Sequence, residues 1–235
     1  MRLLALDAAT ENCSVALLSP GGLLERVAES GKAFAEQLLA MVADVLAEAQ
    51  IALADLDGIA ASIGPGAFTG VRVSVAVAQG LAFGAGLRVA AVSTLEALAL
   101  RALSEPAAST PEHAIACLDA RMREVYWGCF RADAARGVIA TTAPRVSAPD
   151  LVAVPPSRHL GIGRGFAAYP AIGQLPGIEL PPGADGALPR AREFARLGAL
   201  RFALGENLDP AELQPLYLRD KVADTEAERA ARIVI

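Results

Sequence analysis

Residues 62–84 read SIGPGAFTGVRVSVAVAQGLAFG, a glycine-rich turn that runs straight into a helix with almost no polar surface. Gly64, Gly66 and Gly70 supply a tight turn that side chains would obstruct, and Pro65 fixes one φ angle inside it. Thr69 stands where an N-cap belongs, ahead of an unbroken helix-compatible run. On the helical wheel Arg72 and Gln79 form the polar stripe, while Val71, Val73, Val75, Val77, Leu81 and Phe83 spread over the rest. An ordinary surface helix has one apolar face. This one needs cover on at least two, and the second cover can be another protein. Glycines before a helix N-terminus also suit a phosphate, but a Walker-type loop requires GxxxxGK followed by Ser or Thr. Here the glycine spacing is one residue too long and Val71 stands in the lysine position, which favours close packing over phosphate binding.

Outward from this block the elements alternate as in a mixed α/β protein. Arg2–Asp7, Ser14–Leu18 and Leu23–Ala28 read as strands. Phe34–Ala49 is an amphipathic helix, with Phe34, Leu38, Met41, Val42, Val45 and Leu46 on one face. Leu56–Ile63 and Leu87–Val92 are strands on either side of the apolar helix, and Ser93 or Thr94 caps a further helix through about Leu103. SEPAASTP at 104–111 has linker composition, so a boundary is expected near 108, with one subdomain over 1–108 and a second over 109–235. The chain then starts over. AIACLD at 114–119, the charged turn ARMRE and VYWGCF from Val125 repeat the opening LLALD, AATENCS, VALL, with Asp7 and Asp119 as counterparts. Residues 140–188 are broken by prolines and glycines, a helix follows over Arg190–Leu204, and PLYLRDKV from Pro215 is strand-like or extended.

Composition bounds the function. The chain has 235 residues, 54% hydrophobic and 20% charged, enough for an ample core. The longest apolar run, Val71–Gly86, is shorter than a membrane span, and Asp7 interrupts the N-terminal apolar stretch too early for a signal peptide. Cys13, Cys117 and Cys129 are odd in number and far apart, as in a cytoplasmic protein with reduced, buried thiols. The first 108 residues carry 6 Lys+Arg against 11 Asp+Glu, a poor surface for the phosphates of a nucleic acid.

The quoted segments resemble one family. LALDAATENCSVAL, GPGAFTGVRVSVAVAQGLAFG, VSTLEALA, LDARMREVYW and PLYLRD, spread over nearly the whole length, are similar to the bacterial TsaB (YeaZ) proteins. The resemblance implies an actin/sugar-kinase/Hsp70-like (ASKHA) α/β fold of two subdomains on a related βββαβα plan, the second degenerate. It implies a non-catalytic companion of TsaD, needed for threonylcarbamoyl transfer to the adenosine beside the anticodon in tRNAs reading codons that begin with adenine. The implied partners are a TsaD-like protein in a heterodimer and a TsaE-like ATPase. A homodimer is expected when the chain is alone, tRNA is met only through the complex, and no membrane is involved.

The residues argue against the chain's being itself a catalyst. TsaD-like proteins hold a metal with HxxxH on the first helix, where this chain has KAFAEQLLAMVADV. His113 and His159 are 46 positions apart without ligand-spaced neighbours, so no metal site is expected, and His113 reads as a solvated or capping residue. The turn after Asp7 has no Gly, Lys or Arg for Mg·ATP, and Asp7 is expected to accept backbone N–H bonds of its own turn, a residual ligand role being the alternative. Gly161, Gly163 and Gly165 read as a bent turn rather than a dinucleotide loop, and no GxSxG is present. No catalytic residue, metal or cofactor is therefore assigned. The partner surface implied by the resemblance takes Leu38, Met41, Val42 and Val45 from the first helix and Arg72, Val73, Ala76, Val77 and Gly80 from the second, with Arg72 and Gln79 setting orientation. The alternatives are a small-molecule kinase or ATP-binding enzyme of the same fold, and a purely structural homodimer.

Overall fold

The computed structural model describes residues 1–29, 34–104 and 111–219. Strands β1 (Leu3–Asp7), β2 (Asn12–Ser19) and β3 (Gly22–Glu29) form an antiparallel meander. Helix α1 (Phe34–Ala49), β4 (Gly58–Ser62), α2 (Phe68–Ala85), β5 (Val89–Val92) and α3 (Thr94–Leu103) follow, with β4 parallel to β1 and β5 parallel to β4. The first sheet has the order β3-β2-β1-β4-β5. The second half supplies β6 (His113–Asp119), β7 (Val125–Asp133), β8 (Gly137–Ser147), β9 (His159–Ile162), the single-turn α4 (Gly165–Ala168), β10 (Ile178–Glu179) and α5 (Ala191–Ala203). Its sheet runs β8-β7-β6-β9-β10, the same path taken a second time. The hairpin repeat in the sequence is thus one piece of a duplicated topology.

The two halves exchange a helix. α3 lies on β6–β9 of the second sheet, and α5 lies on β1, β2, β4 and β5 of the first, so one core of Leu3, Val92, Leu98, Phe130, Phe194 and Leu197 is common to both. Every residue of β1 and β4 is buried, which explains the uninterrupted apolar runs Leu3–Leu6 and Ile59–Ala61. α5 seats closely because two glycines leave room. A Cβ on Gly58 would meet the Phe202 ring at 2.1 Å, and one on Gly198 would meet Ala60 Cβ at 2.5 Å. The outer face of the first sheet is covered by α1 and α2, and that of the second by α4 and irregular chain around Trp127 and Phe166. Between β8 and β9 a single 3-10 turn at Pro149–Leu151 stands where the first half has α1, in a stretch whose Pro149, Pro155 and Pro156 are poor helix formers.

Several expectations shift. α2 starts one residue earlier than a Thr69 cap requires. Its N-cap is Ala67, without a side-chain cap, and the Ala67 amide instead donates to the Ala9 carbonyl at 2.7 Å. At 18 residues α2 is long and apolar enough to cross a membrane by length and composition, but it lies on the sheet with Val71, Ser74, Val75, Ala78 and Ala82 inward. Ser93, with Glu96 closing a capping box, starts α3. His113 is the first residue of β6 rather than a residue ahead of the strand. Pro215–Arg219 is extended but joins no ladder. Most of the linker expected at 104–111 (105–110), and the rest of PLYLRDKV, lie outside the described residues.

Candidate functional site

The glycine turn is shaped by the turn between β1 and β2. Gly64 has φ +93°, which suits glycine. A Cβ on Gly66 would sit 2.0 Å from the Ala9 carbonyl oxygen, and one on Gly70 1.9 Å from that of Ala8. The glycines exist because one backbone turn packs on another. The arrangement presents carbonyl oxygens to the glycines and engages the Ala67 amide within the chain, the reverse of a phosphate cradle. Beneath it, Asp7 is wholly buried. One carboxylate oxygen accepts the Ala9 amide at 3.0 Å, as expected from its turn position, and the other has no partner. Burial pushes the Asp7 carboxyl up to about 6.

Gly163 and Gly165 repeat the device in the second half, where a Cβ would meet the Cys117 carbonyl oxygen at 2.3 Å and Cys117 Sγ at 2.4 Å. Between the two sets of turns lies a cleft of 390 Å³, lined from the first half by Ala9, Glu11, Phe34, Phe68 and Val71, and from the second by Asp119, Arg121, Met122, Tyr126, Arg164 and Tyr217. Glu11 spans it, 3.6 Å from Arg164 and 4.0 Å from Arg121. Asp119 accepts the Arg121 amide at 2.9 Å, matching Asp7 and Ala9, but it is partly open to solvent and also pairs with the Arg121 guanidinium at 3.1 Å. Arg121, Met122 and Arg123 all have positive φ, between 53° and 62°, an uncommon run of non-glycine residues in the left-handed region.

The outer helical layer places the sequence-predicted surface residues in two groups. Leu38, Met41, Val42 and Val45 are 0–8% exposed and pack under α1 against the first sheet, so these four are withdrawn from any accessible surface. The 3–4 periodicity that identified the helix had picked out its inner face. On α2, Val73 and Val77 are half-buried, and Ala76 and Gly80 are exposed, with open space above Gly80. Phe83, 84% exposed, continues the α2 face one turn on, and Leu39, Ala40 and Ala43 are exposed on the neighbouring α1, among Glu36, Asp44 and Glu48. Leu39 was missed because a lone leucine outside the main periodicity carries no signal in sequence.

Arg72 and Gln79 are both engaged within the chain. The Arg72 guanidinium lies 3.3 Å over the Phe68 ring and 5.1 Å from the Tyr217 ring centroid, and it donates to the Phe68 carbonyl. Gln79 Nε2 donates to the carbonyls of Pro210 and Leu213, each at 3.0 Å. Folding also joins the two histidines, so that their 46-residue separation in sequence was a poor guide: β6 and β9 are in register, and the rings are 5.2 Å apart. His159 Nδ1 lies 2.9 Å from the Ser157 carbonyl oxygen, and burial holds His159 below the ordinary imidazole range. Among the described residues no group of three His, Cys, Asp or Glu side chains is arranged to hold a metal ion.

The family model described as "TsaD: tRNA N6-adenosine threonylcarbamoyltransferase" matches residues 13–146. The tRNA threonylcarbamoyladenosine biosynthesis protein TsaB of Escherichia coli is 35% identical over 227 residues, covering 95% of this chain and 96% of that one. TsaB of Haemophilus influenzae is 33% identical over 231 residues, 94% and 95% of the two chains. The solved structure of YeaZ from Pseudomonas aeruginosa superimposes with a TM-score of 0.84 at 40% identity, covering 92% of this chain and 99% of that one.

Proposed function

The chain belongs to the TsaB family of tRNA threonylcarbamoyladenosine biosynthesis proteins, and from that premise we propose that it is a non-catalytic subunit which binds and supports a TsaD-like transferase. With a TsaE-like ATPase, the complex transfers threonylcarbamoyl to the adenosine beside the anticodon in tRNAs that read codons beginning with adenine. The chain meets tRNA through the complex, works in the cytoplasm, and pairs with its own copy when the partner is absent. The observation that carries the reading is the outward face of the α1–α2 layer. Val73, Ala76, Val77, Gly80 and Phe83 recur on α2 at helical spacing, beside Leu39, Ala40 and Ala43 of α1. An apolar, small-residue helical face next to an equally exposed helix suits a second helix pair, and a stable contact would cover about 800 Å² on each side. The kinase alternative is not favoured, since the glycine turn is filled by the Ala8 and Ala9 carbonyls.

The test is tRNA modification in vitro with the TsaD and TsaE relatives from the same source, with and without this chain. Ala76→Arg places a charge on an exposed helix position and leaves the core untouched. Modification should require the chain and fall at least about tenfold with Ala76→Arg, while circular dichroism and melting stay as in the wild type. Full modification without the chain overturns the reading.

A further inference from the structure

Residues 205–219 continue from α5, which lies on the first half's sheet, run along the first half and end against the second. The Leu208 backbone exchanges two hydrogen bonds with Val89 on the edge strand β5, at 3.0 and 2.7 Å. Arg88 holds Asn207 through its side-chain and backbone oxygens. Gln79 of α2 grips the Pro210 and Leu213 carbonyls, and the Leu213 side chain is buried in the first half's outer core. Farther along, the Leu216 amide donates to the Ile63 carbonyl at 2.7 Å, beside the glycine turn. Tyr217 then flanks Arg72. Arg219 finally donates to the Ala120 carbonyl at 3.0 Å and pairs with Glu124, at either end of the left-handed run 121–123.

We infer that this segment is a clamp that fixes the angle between the two halves across the mouth of the cleft. α3 and α5 already join the halves through their shared core, and a rotation of one half about that core would widen or narrow the cleft, which Leu118, Tyr126 and Leu218 border. The clamp runs along the cleft, with Leu216–Arg219 in its lining. It is anchored on the first half at Val89, Gln79 and Ile63, and on the second at Ala120 and Glu124, so opening the cleft must break one set of bonds or the other. Arg72 and Gln79, seven residues apart on α2, both contact it.

The experiment pairs spin-label distances with amide exchange on the full chain. Labels at Asp44→Cys and Asp150→Cys, exposed positions on the two halves, in labelled chain diluted with excess unlabelled chain so that only distances within one copy are read, should give one narrow distance distribution, and the Leu208 and Leu216 amides should exchange as slowly as those of β5. Gln79→Met keeps the side-chain length but donates no bond. It should broaden the distribution and speed exchange at Leu216 and at the distant Glu124 about tenfold or more. A broad distribution in the unaltered chain, or Leu208 and Leu216 exchanging at the rate of unstructured chain, overturns the inference without any variant. So does a folded Gln79→Met chain in which Glu124 exchange and the distances are unchanged.

Discussion

The turns that follow Asp7 and Asp119 begin alike and end differently. Each aspartate closes a strand and accepts the amide two residues on, from Ala9 at 3.0 Å and from Arg121 at 2.9 Å. The first turn, AATE, is pressed beneath Gly66 and Gly70 and is almost wholly buried. The second, ARMRE, faces solvent and the cleft, carries two arginines in a left-handed run, and is braced from outside by Arg219. A duplicated hairpin has become a packing surface in one half and a charged rim in the other. The lesson is that local hydrogen bonding is inherited with the motif, whereas burial is decided by what packs on it.

The largest effect should come from filling the contact that buries the first turn. In Gly70→Ala the new Cβ meets a backbone oxygen at 1.9 Å that cannot move without shifting β1, and urea unfolding should show a loss of about 3 kcal/mol or more. Gly165→Ala in the second half meets the Cys117 sulfur at 2.4 Å, a side-chain atom with some freedom, although the Cys117 carbonyl carbon is also close. Its loss should be smaller than that of Gly70→Ala. Equal losses would break the distinction between the two turns.

The next effect is electrostatic. Burial raises the Asp7 carboxyl from 3.8 to about 6, so the folded chain keeps a proton that the unfolded chain has released. The contribution is therefore fully present at low pH and lost as pH rises through about 6, with a magnitude of about 3 kcal/mol. Glu193, on α5, is pushed up to about 7, first by burial and then by Glu25, and adds a loss of the same sign. Asp7→Asn should flatten the fall in stability between about pH 4 and 6, and Glu193→Gln the part that continues to about pH 7. Asp119→Asn removes an exposed pair with Arg121 and should cost less than about 1 kcal/mol. Denaturant titrations across this range check all three. An unchanged pH slope in Asp7→Asn would show that the first turn admits water.

Much of this contrast was legible in the sequence. Three glycines around Pro65 announced a crowded turn, Asp7 and Asp119 announced the repeat, and the 3–4 spacing on 34–49 announced α1. The partner surface was read less well. Periodicity finds the inner face of a helix, and Leu38, Met41, Val42 and Val45 are that face; the outward Leu39, Ala40 and Ala43 are too small or too isolated to register. Arg72 and Gln79 looked available because their partners, Tyr217, Pro210 and Leu213, lie more than 130 positions away. A separation of 46 positions likewise hid the meeting of His113 with His159, since strand register is invisible until the sheet order is known.

The smallest predicted effect concerns the left-handed run itself. Holding a non-glycine residue at φ near +55° costs about 1 kcal/mol, and glycine removes that cost while adding freedom to the unfolded chain. Met122 has φ 53° and a largely exposed side chain, so Met122→Gly removes little packing. The two terms nearly cancel, and the variant should differ from the wild type by less than about 1 kcal/mol in urea unfolding. If Met122→Gly instead destabilises by more than that, the Met122 side chain at the cleft mouth is packing against the opposite half. The second turn would then be a contact surface like the first, and the contrast between them would be one of degree.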